Sequence, residues 1–328
     1  MERRPLGRTG HQVSAIGLGC MGMSEFYGTR DDATSLQTLA TALDQGIDFF
    51  DTADTYGFGH NEELVGRFLK DHRGKITLAT KFGIVRQEGR YERRIDNSPA
   101  YIAEACDASL RRLGIERIDL YYAHRLEPAR PIEETVAAMA KLVEAGKVRW
   151  LGLSEVSAAS LRRAHKIHPI TALQTEYSLW SREPETELLQ TCRELGISFV
   201  AYSPLGRAFL TGTVTSPDTL APTDFRRSNP RFQADALERN RKLTDALADF
   251  AKARHATPAQ MALAWLLGKH RHVIPIPGTK RSAYVIQNAS AATIRLSAEE
   301  IATLDRMLPP EAVAGDRYTP EGMKGLGL

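Results

Sequence analysis

Short apolar runs rich in β-branched residues alternate with longer amphipathic segments along the whole chain. Apolar runs of about four to eight residues are typical of strands covered on both faces, whereas longer segments with a helical apolar period are typical of helices. The pattern predicts strands at residues 15–18, 48–51, 76–80, 118–123, 148–153, 172–176, 198–202 and 273–276.

The segments between these runs predict helices at residues 31–45, 61–70, 99–113, 132–145, 158–167, 185–195, 235–254, 258–268 and 298–308. Residues that commonly cap helix N-termini stand where several of them begin, namely Asp31, Asn61, Ser98, Ser157 and Thr257. Glycine ends many of them, as in "LDQGI", "RRLGI", "VEAGKV" and "CRELGI". These joints predict a tight loop before each strand and a longer polar loop after it.

Repeated strand–helix units without a break in composition favour one domain over residues 1–328, an α/β fold of the (β/α)8 TIM-barrel type. An open doubly wound sheet is the alternative. The opening "RPLGRTGHQVSAIG" predicts an N-terminal hairpin, and the helix at residues 298–308 is an extra C-terminal helix. Residues 211–235 form a long loop that either covers a site or is mobile.

Composition excludes several classes of function. The net charge is +3 and the basic residues are scattered, so we predict no nucleic-acid partner. No window is apolar enough for a membrane span, and the start lacks the apolar core of a secretory signal. Cys20, Cys106 and Cys192 are far apart and read as reduced thiols of a cytoplasmic protein, and no metal-ligand spacing occurs. The oligomeric state is left open.

Titratable side chains stand at the ends of three consecutive predicted strands. "FFDTADTYG" carries Asp51 and Tyr56, "ITLATKFG" ends near Lys81, and "IDLYYAHRLEP" ends at His124. Each alone has an ordinary interpretation, as a turn cap, a solvated lysine or a half-buried histidine. Together they predict an active site, because TIM-barrel sites are built at the carboxyl ends of the strands.

The predicted chemistry is proton donation to an oxygen on which negative charge develops. We expect Lys81 to lower the pKa of the Tyr56 phenol and Asp51 to keep that lysine charged. An imidazole at His124 could orient a carbonyl oxygen. Addition of hydride to a carbonyl is a reaction that needs such an acid.

At these motifs the sequence resembles the aldo-keto reductases. "DTADTYG", "ATKFG" and "YYAHRLEP" match the family's segments, and the resemblance extends from "LGRTGHQVSAIGLGCMGMS" to "IPIPGTKR". "GLSEVS", "QTEYSLW" and "YSPLGRAFLTG" are similar to the microbial and plant branch that includes pyridoxal and perakine reductases. The resemblance implies that Tyr56 is the proton donor, that Lys81 and Asp51 tune it, and that His124 orients a small-molecule carbonyl substrate.

The resemblance also implies a site for NADPH. It assigns Ser154 and Gln174 to the nicotinamide carboxamide, Tyr177 to stacking on the ring, and Gln287 and Asn288 to the adenine. "PGTKR" would hold the adenosine 2′-phosphate through Gly278, Thr279 and Lys280, with Arg281 as a further candidate. "YSPLGRAFLTG" could approach a pyrophosphate through Ser203, Leu205, Gly206, Arg207, Leu210 and Gly212, or could be a loop with a solvated arginine. Glu155 stands where many members have asparagine, which leaves its role open.

Three alternatives remain in view. "GLGCMG" matches a dinucleotide fingerprint, but loop follows it until Asp31, so we interpret it as the end of the first barrel strand. A Schiff-base lyase using Lys81 and an NADPH-binding regulatory protein like the potassium-channel β subunits are the competing functions.

The substrate pocket is predicted to involve Met23, Phe26, Phe82, Trp180, Phe225 and "VRQEGRYERR" with Arg90, Arg93 and Arg94, although packing or a solvated face would also explain these residues.

Overall fold

The computed structural model describes residues 1–87, 93–214 and 216–328, and its centre is an eight-stranded parallel sheet. In the order in which they pair, the strands are β12 (Val273–Pro275), β11 (Ser198–Tyr202), β10 (Ile170–Glu176), β9 (Val148–Ser154), β8 (Ile118–Ala123), β5 (Thr77–Phe82), β4 (Phe49–Asp51) and β3 (Leu18–Gly19). The predicted strands at residues 118–123 and 198–202 are confirmed to the residue, and the others differ at their ends.

The two outer strands of this sheet meet and close it. The backbone N–H of Gly17 donates to the carbonyl of Pro275 at 2.9 Å, and Gly19 forms a parallel bridge with Gly278. Closure removes the sheet edges. The prediction of a (β/α)8 barrel is therefore confirmed over the open doubly wound sheet.

Helices connect successive strands and follow the last one, and most of them cover the outside of the barrel. They are α1 (Asp32–Asp44), α2 (His60–His72), α3 (Pro99–Leu113), α4 (Ile132–Glu144), α5 (Ala158–Ile167), α6 (Leu188–Leu195), α7 (Ala234–Ala253), α8 (Pro258–Lys269), α9 (Ser282–Ser290), α10 (Ala298–Met307) and α11 (Pro320–Met323). Among the described residues, no helix is both long and apolar enough to cross a membrane.

The predicted caps are confirmed at four of the five positions, Asp31, Ser98, Ser157 and Thr257, each of which accepts a backbone N–H of the first turn. Asn61 is wrong as a cap, because α2 begins after Gly59. The amide of Asn61 is buried and instead links the end of β4 to the first loop: it accepts from the hydroxyl of Thr52 at 2.6 Å and donates to the carbonyl of Cys20 at 2.9 Å.

The glycines in the four sequence motifs predicted to end helices have the backbone conformation typical of helix C-termini. Gly46, Gly114, Gly146 and Gly196 all have positive φ, between 65° and 78°. In this left-handed region a side chain would be strained, so glycine ends the helix and turns the chain into the next strand. The tight loops therefore lie at the amino ends of the strands, and the opposite ends are left for long loops.

Two apolar layers hold the barrel together. Strand side chains that point outward pack under the helices in the larger cluster, which includes Phe50, Leu78 and Tyr121. Inward side chains such as Phe49 and Tyr122 fill the barrel interior. The predicted hairpin, β1 (Arg3–Pro5) and β2 (Gln12–Ser14), closes the lower end of that interior with Leu6 and Val13.

Three segments complete the upper end, where the strands terminate. A hairpin of β6 (Ile84–Arg86) and β7 (Arg93–Ile95) follows β5. Residues 313–328, here called the C-terminal strap, cross the opening and attach through the backbone of Gly327 to the carbonyl of Glu155 at 2.8 Å. The long loop at residues 211–235 reaches across to the first loop, where the N–H of Phe225 donates to the carbonyl of Phe26 at 3.2 Å. The sequence predicted neither the second hairpin nor the strap.

The contact between α2 and α3 gives a stability prediction at Gly66. A Cβ added there would come within 2.6 Å of the carbonyl oxygen of Arg112. Alanine normally stabilises a helix relative to glycine, but this backbone contact cannot yield, so we expect Gly66→Ala to lower the free energy of unfolding by about 1–3 kcal/mol. Urea denaturation measures the change.

Gly74→Ala is the matched control, because an added Cβ there meets nothing within 4 Å. It is expected to leave stability unchanged or to raise it by a few tenths of a kcal/mol. Equal stabilisation by both substitutions would contradict the close approach of α2 to α3.

Candidate active site

The titratable groups predicted from the strand ends lie together at the upper opening of the barrel. Asp51 is the last residue of β4, Lys81 lies near the end of the neighbouring β5, and His124 directly follows β8. Tyr56 stands in the turn after β4. Asp51, Tyr56 and His124 line a cavity of about 790 Å³, which is within the usual size range of cofactor and ligand sites.

Lys81 is fully buried and all three of its ammonium hydrogens have acceptors. It forms an ion pair with Asp51 and donates to the carbonyl of Thr52 at 2.8 Å and to the hydroxyl of Tyr56 at 3.2 Å. Burial acts to lower the pKa of this lysine, but the Asp51 carboxylate raises it, so the ammonium stays protonated and has no N–H left for a substrate. The arrangement therefore disfavours the Schiff-base alternative.

The pKa of Tyr56 departs from the sequence-based expectation. Burial raises it, and the nearby Lys81 only partly opposes that rise. The sequence predicted that Lys81 would lower the pKa of Tyr56. Lys81 does act in that direction, but burial outweighs it, so the prediction of a lowered pKa is wrong. Tyr56 keeps its proton at neutral pH, which is the state a proton donor requires.

His124 faces Tyr56 across the cavity floor. Their ring centroids are 5.8 Å apart and their planes are at 84°. Burial lowers the pKa of His124 well below its ordinary value, and the cation of Arg125 lowers it further. The ring is therefore neutral, and within the part of the chain that the structure describes its Nδ1 has no hydrogen-bond partner.

Most of the predicted cofactor residues line the same cavity: Ser154, Gln174, Ser203, Leu205, Arg207, Gly278, Thr279, Lys280, Gln287 and Asn288. They come from strands on both halves of the barrel, so the cavity extends across the opening. Gln174 donates from Nε2 to Asp51 at 2.7 Å, so its carbonyl oxygen is the end that is not bound to that carboxylate.

Four predicted cofactor residues do not reach the cavity. Tyr177 is completely buried in the outer core, where its hydroxyl donates to Glu185 at 2.7 Å and its ring packs on Trp265. Leu210 is also a core residue. Gly206 lies against the ring of Trp180, and Gly212 ends a short 3-10 turn with open space beside it.

Tyr202, the last residue of β11, lines the cavity together with Ser154 and Gln174. Its hydroxyl donates to Glu155 at 2.8 Å and lies 2.9 Å from the hydroxyl of Tyr318 in the strap. The sequence contained the signal that would have found it, since Tyr202 ends a correctly predicted strand in the same way as Asp51 ends β4.

Glu155 holds the C-terminal strap. Its backbone has a positive φ of 57°, which is uncommon for a residue with a side chain. Its carboxylate pairs with Arg317 at 2.6 Å and accepts the N–H of Glu176 at 3.0 Å in addition to the Tyr202 hydroxyl. Glu155 stands where many family members have asparagine. Its carboxylate is occupied by these contacts within the protein.

Arg207 is likewise paired within the protein. Its Nη2 contacts Glu176 at 3.0 Å, and its guanidinium lies over the ring of Tyr318 at 4.3 Å. The solvated arginine that the sequence allowed is wrong, because Arg207 is only 6% exposed. Any contact of Arg207 with a pyrophosphate would be made by a guanidinium already shared with Glu176.

The loop after β12 forms the opposite end of the cavity. A Cβ on Gly278 would come within 3.2 Å of the carbonyl of Gly19, so backbone rather than side chain faces the cavity there. Lys280 donates to the carbonyls of Tyr27 at 2.7 Å and Thr29 at 2.6 Å, and one of its hydrogens remains. The nearby start of α9 is favourable for an anion.

"GLGCMG" has the position predicted for it. Gly19, Cys20, Met21 and Gly22 line the cavity, and a short 3-10 turn at Met21–Met23 follows β3 in place of a long helix. A dinucleotide fingerprint requires a helix that opens directly from the glycines. The motif therefore belongs to the barrel rim.

The predicted substrate-side residues divide into two groups. Phe26, Arg86, Arg93 and Phe225 line the cavity. The others serve packing or the surface: Met23 and Phe82 are buried in the core, Trp180 packs on Phe209, and Arg94 pairs with Asp96. Arg90 and the rest of residues 88–92 lie outside the described residues.

Comparison with known proteins agrees with this geometry. Residues 15–309 match the model of the aldo/keto reductase family. The chain is 46% identical over 316 residues to "Probable aldo-keto reductase 1" of Glycine max, covering 95% of this chain and 90% of that protein.

Solved structures of reductases superpose on the same fold. The glycerol dehydrogenase of Gluconobacter oxydans has a TM-score of 0.86 at 30% identity, covering 94% of this chain and 96% of that one. An aldo/keto reductase of Klebsiella pneumoniae, solved with NADP and acetate, has a TM-score of 0.75 at 30% identity, covering 97% and 99% of the two chains.

The chain belongs to the aldo-keto reductase family. It is an oxidoreductase of small carbonyl compounds and their alcohols, and its cofactor is a nicotinamide nucleotide.

The buried neutral His124 gives a prediction on pH and stability. Its pKa is depressed in the folded state, so below the ordinary value of about 6.5 the unfolded chain binds a proton that the folded chain does not. Stability is therefore present above that pH and is lost as the pH falls. In His124→Asn we expect the free energy of unfolding to fall less steeply on acidification, by up to about 1.4 kcal/mol per pH unit.

Urea denaturation at neutral and at mildly acidic pH measures the effect. The control is His255→Asn, since His255 is exposed and its positive φ of 50° suits asparagine. An unchanged acid sensitivity in His124→Asn would show that His124 is not held neutral by the fold.

Proposed function

We propose that this protein reduces aldehydes and ketones to alcohols with NADPH, with Tyr56 as the proton donor. The observation that carries the proposal is the buried Tyr56–Lys81–Asp51 chain of contacts, which ends on a cavity-lining phenol beside a neutral His124.

The chemistry that the nicotinamide supplies is hydride transfer to the carbonyl carbon. Tyr56 gives its proton to the carbonyl oxygen as negative charge develops there. The Lys81 ammonium, 3.2 Å from the phenol oxygen, stabilises the phenolate that remains. Asp51 balances the charge of that lysine, so the burial of an ammonium group is tolerated.

His124 orients the substrate in this proposal. A neutral imidazole has one N–H to donate and cannot repel the cation of Lys81. Burial holds the pKa of His124 well below its ordinary value, so the ring is neutral at neutral pH. A carbonyl oxygen between the imidazole and the phenol would accept a hydrogen bond from each, which fixes the oxygen at the proton donor.

The residues that line the cavity support the following binding position for the cofactor. Ser154 and the carbonyl end of Gln174 would bind the carboxamide, and Tyr202, in place of Tyr177, would flank the nicotinamide ring. The turn at Ser203 and Leu205 would line the middle. Gln287 and Asn288 would face the adenine.

The loop of Gly278, Thr279 and Lys280 would bind the 2′-phosphate, and this contact is the basis for proposing NADPH over NADH. The three cysteines are buried free thiols, which supports placing the enzyme in a reducing compartment such as the cytoplasm.

The direct test is oxidation of NADPH and of NADH in the presence of a panel of reactive aldehydes and diketones. Turnover with NADPH preferred supports the proposal. Tight NADPH binding without turnover of any compound would favour the regulatory function that potassium-channel β subunits represent.

Tyr56→Phe should retain the fold and NADPH binding and lose carbonyl reduction by a factor of about 100–10,000, the usual contribution of a general acid. Cofactor binding is followed by fluorescence and reduction by steady-state kinetics.

The matched control is Tyr121→Phe. Tyr121 is a fully buried core tyrosine whose hydroxyl has no partner in the described part of the chain, and its removal should not affect reduction. Reduction by Tyr56→Phe at the wild-type rate would exclude Tyr56 as the donor.

Lys280→Ala should weaken the binding of NADPH by about 10–100-fold and the binding of NADH far less, because it removes one hydrogen bond to a charged group worth roughly 1.5–3 kcal/mol. Dissociation constants of the two cofactors measure the difference. Lys75→Ala, an exposed lysine before β5 at the other end of the barrel, is the control. Equal losses for both cofactors would show that Lys280 does not bind the 2′-phosphate.

A further inference from the structure

The side chain of Arg125 is a buried cation in the wall of the active-site cavity. It directly follows His124, is 5% exposed, and lines the cavity. Its Nη1 donates to the carbonyl of His124 at 2.7 Å and to the hydroxyl of Ser154 at 3.3 Å. Its Nε is buried without a hydrogen-bond partner in the described part of the chain.

Arg125 differs from the other buried arginines of the described residues because no carboxylate pairs with it. Arg4 has Glu2 at 3.9 Å, and Arg207 and Arg231 share Glu176 at 3.0 and 3.5 Å. A buried charge without a partner costs several kcal/mol, so such groups are usually found where a ligand supplies the opposite charge.

The surroundings add to this positive charge. Glu155 and Glu176 are already paired with Arg207, Arg231 and Arg317, so three other guanidinium groups share the two carboxylates of this neighbourhood. Burial alone would lower the pKa of Arg125, but Tyr202 and Glu155 raise it, and the group stays charged.

The position of Arg125 separates it from the phosphate end of the cavity. In the ring of eight strands, β8 and β12 are four strands apart in either direction, so Arg125 lies opposite the loop of Gly278 and Lys280. Its neighbours are the proposed reacting groups His124 and Tyr56 and the proposed carboxamide partner Ser154. A neutral carboxamide would leave the charge of Arg125 uncompensated.

We infer that Arg125 binds a carboxylate of the substrate, and that the preferred substrates are aldehydes or ketones that carry a carboxylate group. A guanidinium presents a planar pair of N–H donors that matches a carboxylate. This inference rests on the proposed function, since it names the substrate class of the same site.

The test compares para- and meta-carboxybenzaldehyde with their methyl esters, which differ from the acids mainly in charge. The wild-type enzyme with NADPH should show kcat/KM values at least about 10-fold higher for one or both acids than for the matching ester, as one hydrogen-bonded charge pair provides. Arg125→Gln should reduce this ratio at least about 10-fold, chiefly through KM for the acid.

Arg306→Gln is the matched control, because it removes the same charge from the exposed face of α10 and should leave the ratio unchanged. Binding of benzoate to the NADP⁺ complex, measured by calorimetry, provides a second readout that does not depend on turnover. It should be detectable in wild type and weakened at least about 10-fold in Arg125→Gln. Thermal unfolding of each variant verifies that it is folded.

The possible outcomes distinguish a failure of the role of Arg125 from a failure of the proposed reaction. Turnover of the esters without any preference for the acids overturns the role of Arg125 and leaves the proposed reaction intact. An equal loss for acid and ester in Arg125→Gln, or a loss confined to cofactor binding, also overturns it. Absence of turnover with all four compounds and with the aldehyde panel overturns the proposed reaction itself.

Discussion

The ion pair between Lys81 and Asp51 is the interaction on which the rest of the site depends. Lys81 is fully buried and Asp51 is only 3% exposed, so each charge is tolerated only because the other is beside it. The barrel supplies that proximity by placing β4 and β5 side by side with their carboxyl ends together. Tyr56 and Gln174 then join the pair through hydrogen bonds, so the phenol is positioned by the ion pair as much as by its own loop.

The sequence predicted the part of the molecule that local chemistry determines. Glycine at the end of each helix, capping residues and apolar strands are visible within a few neighbouring positions, and the strand ends identified Asp51 and His124 correctly as cavity residues. Asn61 was misread because a cap and a buried bridging amide use the same residue type, and only tertiary contacts distinguish them.

The remaining errors share a physical cause, which is that side-chain direction at the barrel opening is decided by distant segments. Tyr177 and Tyr202 both stand at strand ends, but Tyr177 turns outward to Trp265 while Tyr202 is held at the cavity by Glu155 and the strap. The strap itself has no strand or helix period, so its contacts with β9 through β11 were not visible in the sequence. Burial, which outweighs the effect of Lys81 on the pKa of Tyr56, likewise requires the complete fold.

The seam between β3 and β12 has a consequence for how the barrel is assembled. It joins Gly19 to Gly278, a separation of most of the chain, through a strand of only two residues. A contact between such distant residues carries a large loop-closure entropy, so the seam is a slow and weak part of the sheet to form. Both glycines line the cavity. A ligand that contacts them both therefore holds the two ends of the chain together, and its concentration becomes a factor in the lifetime of the folded protein.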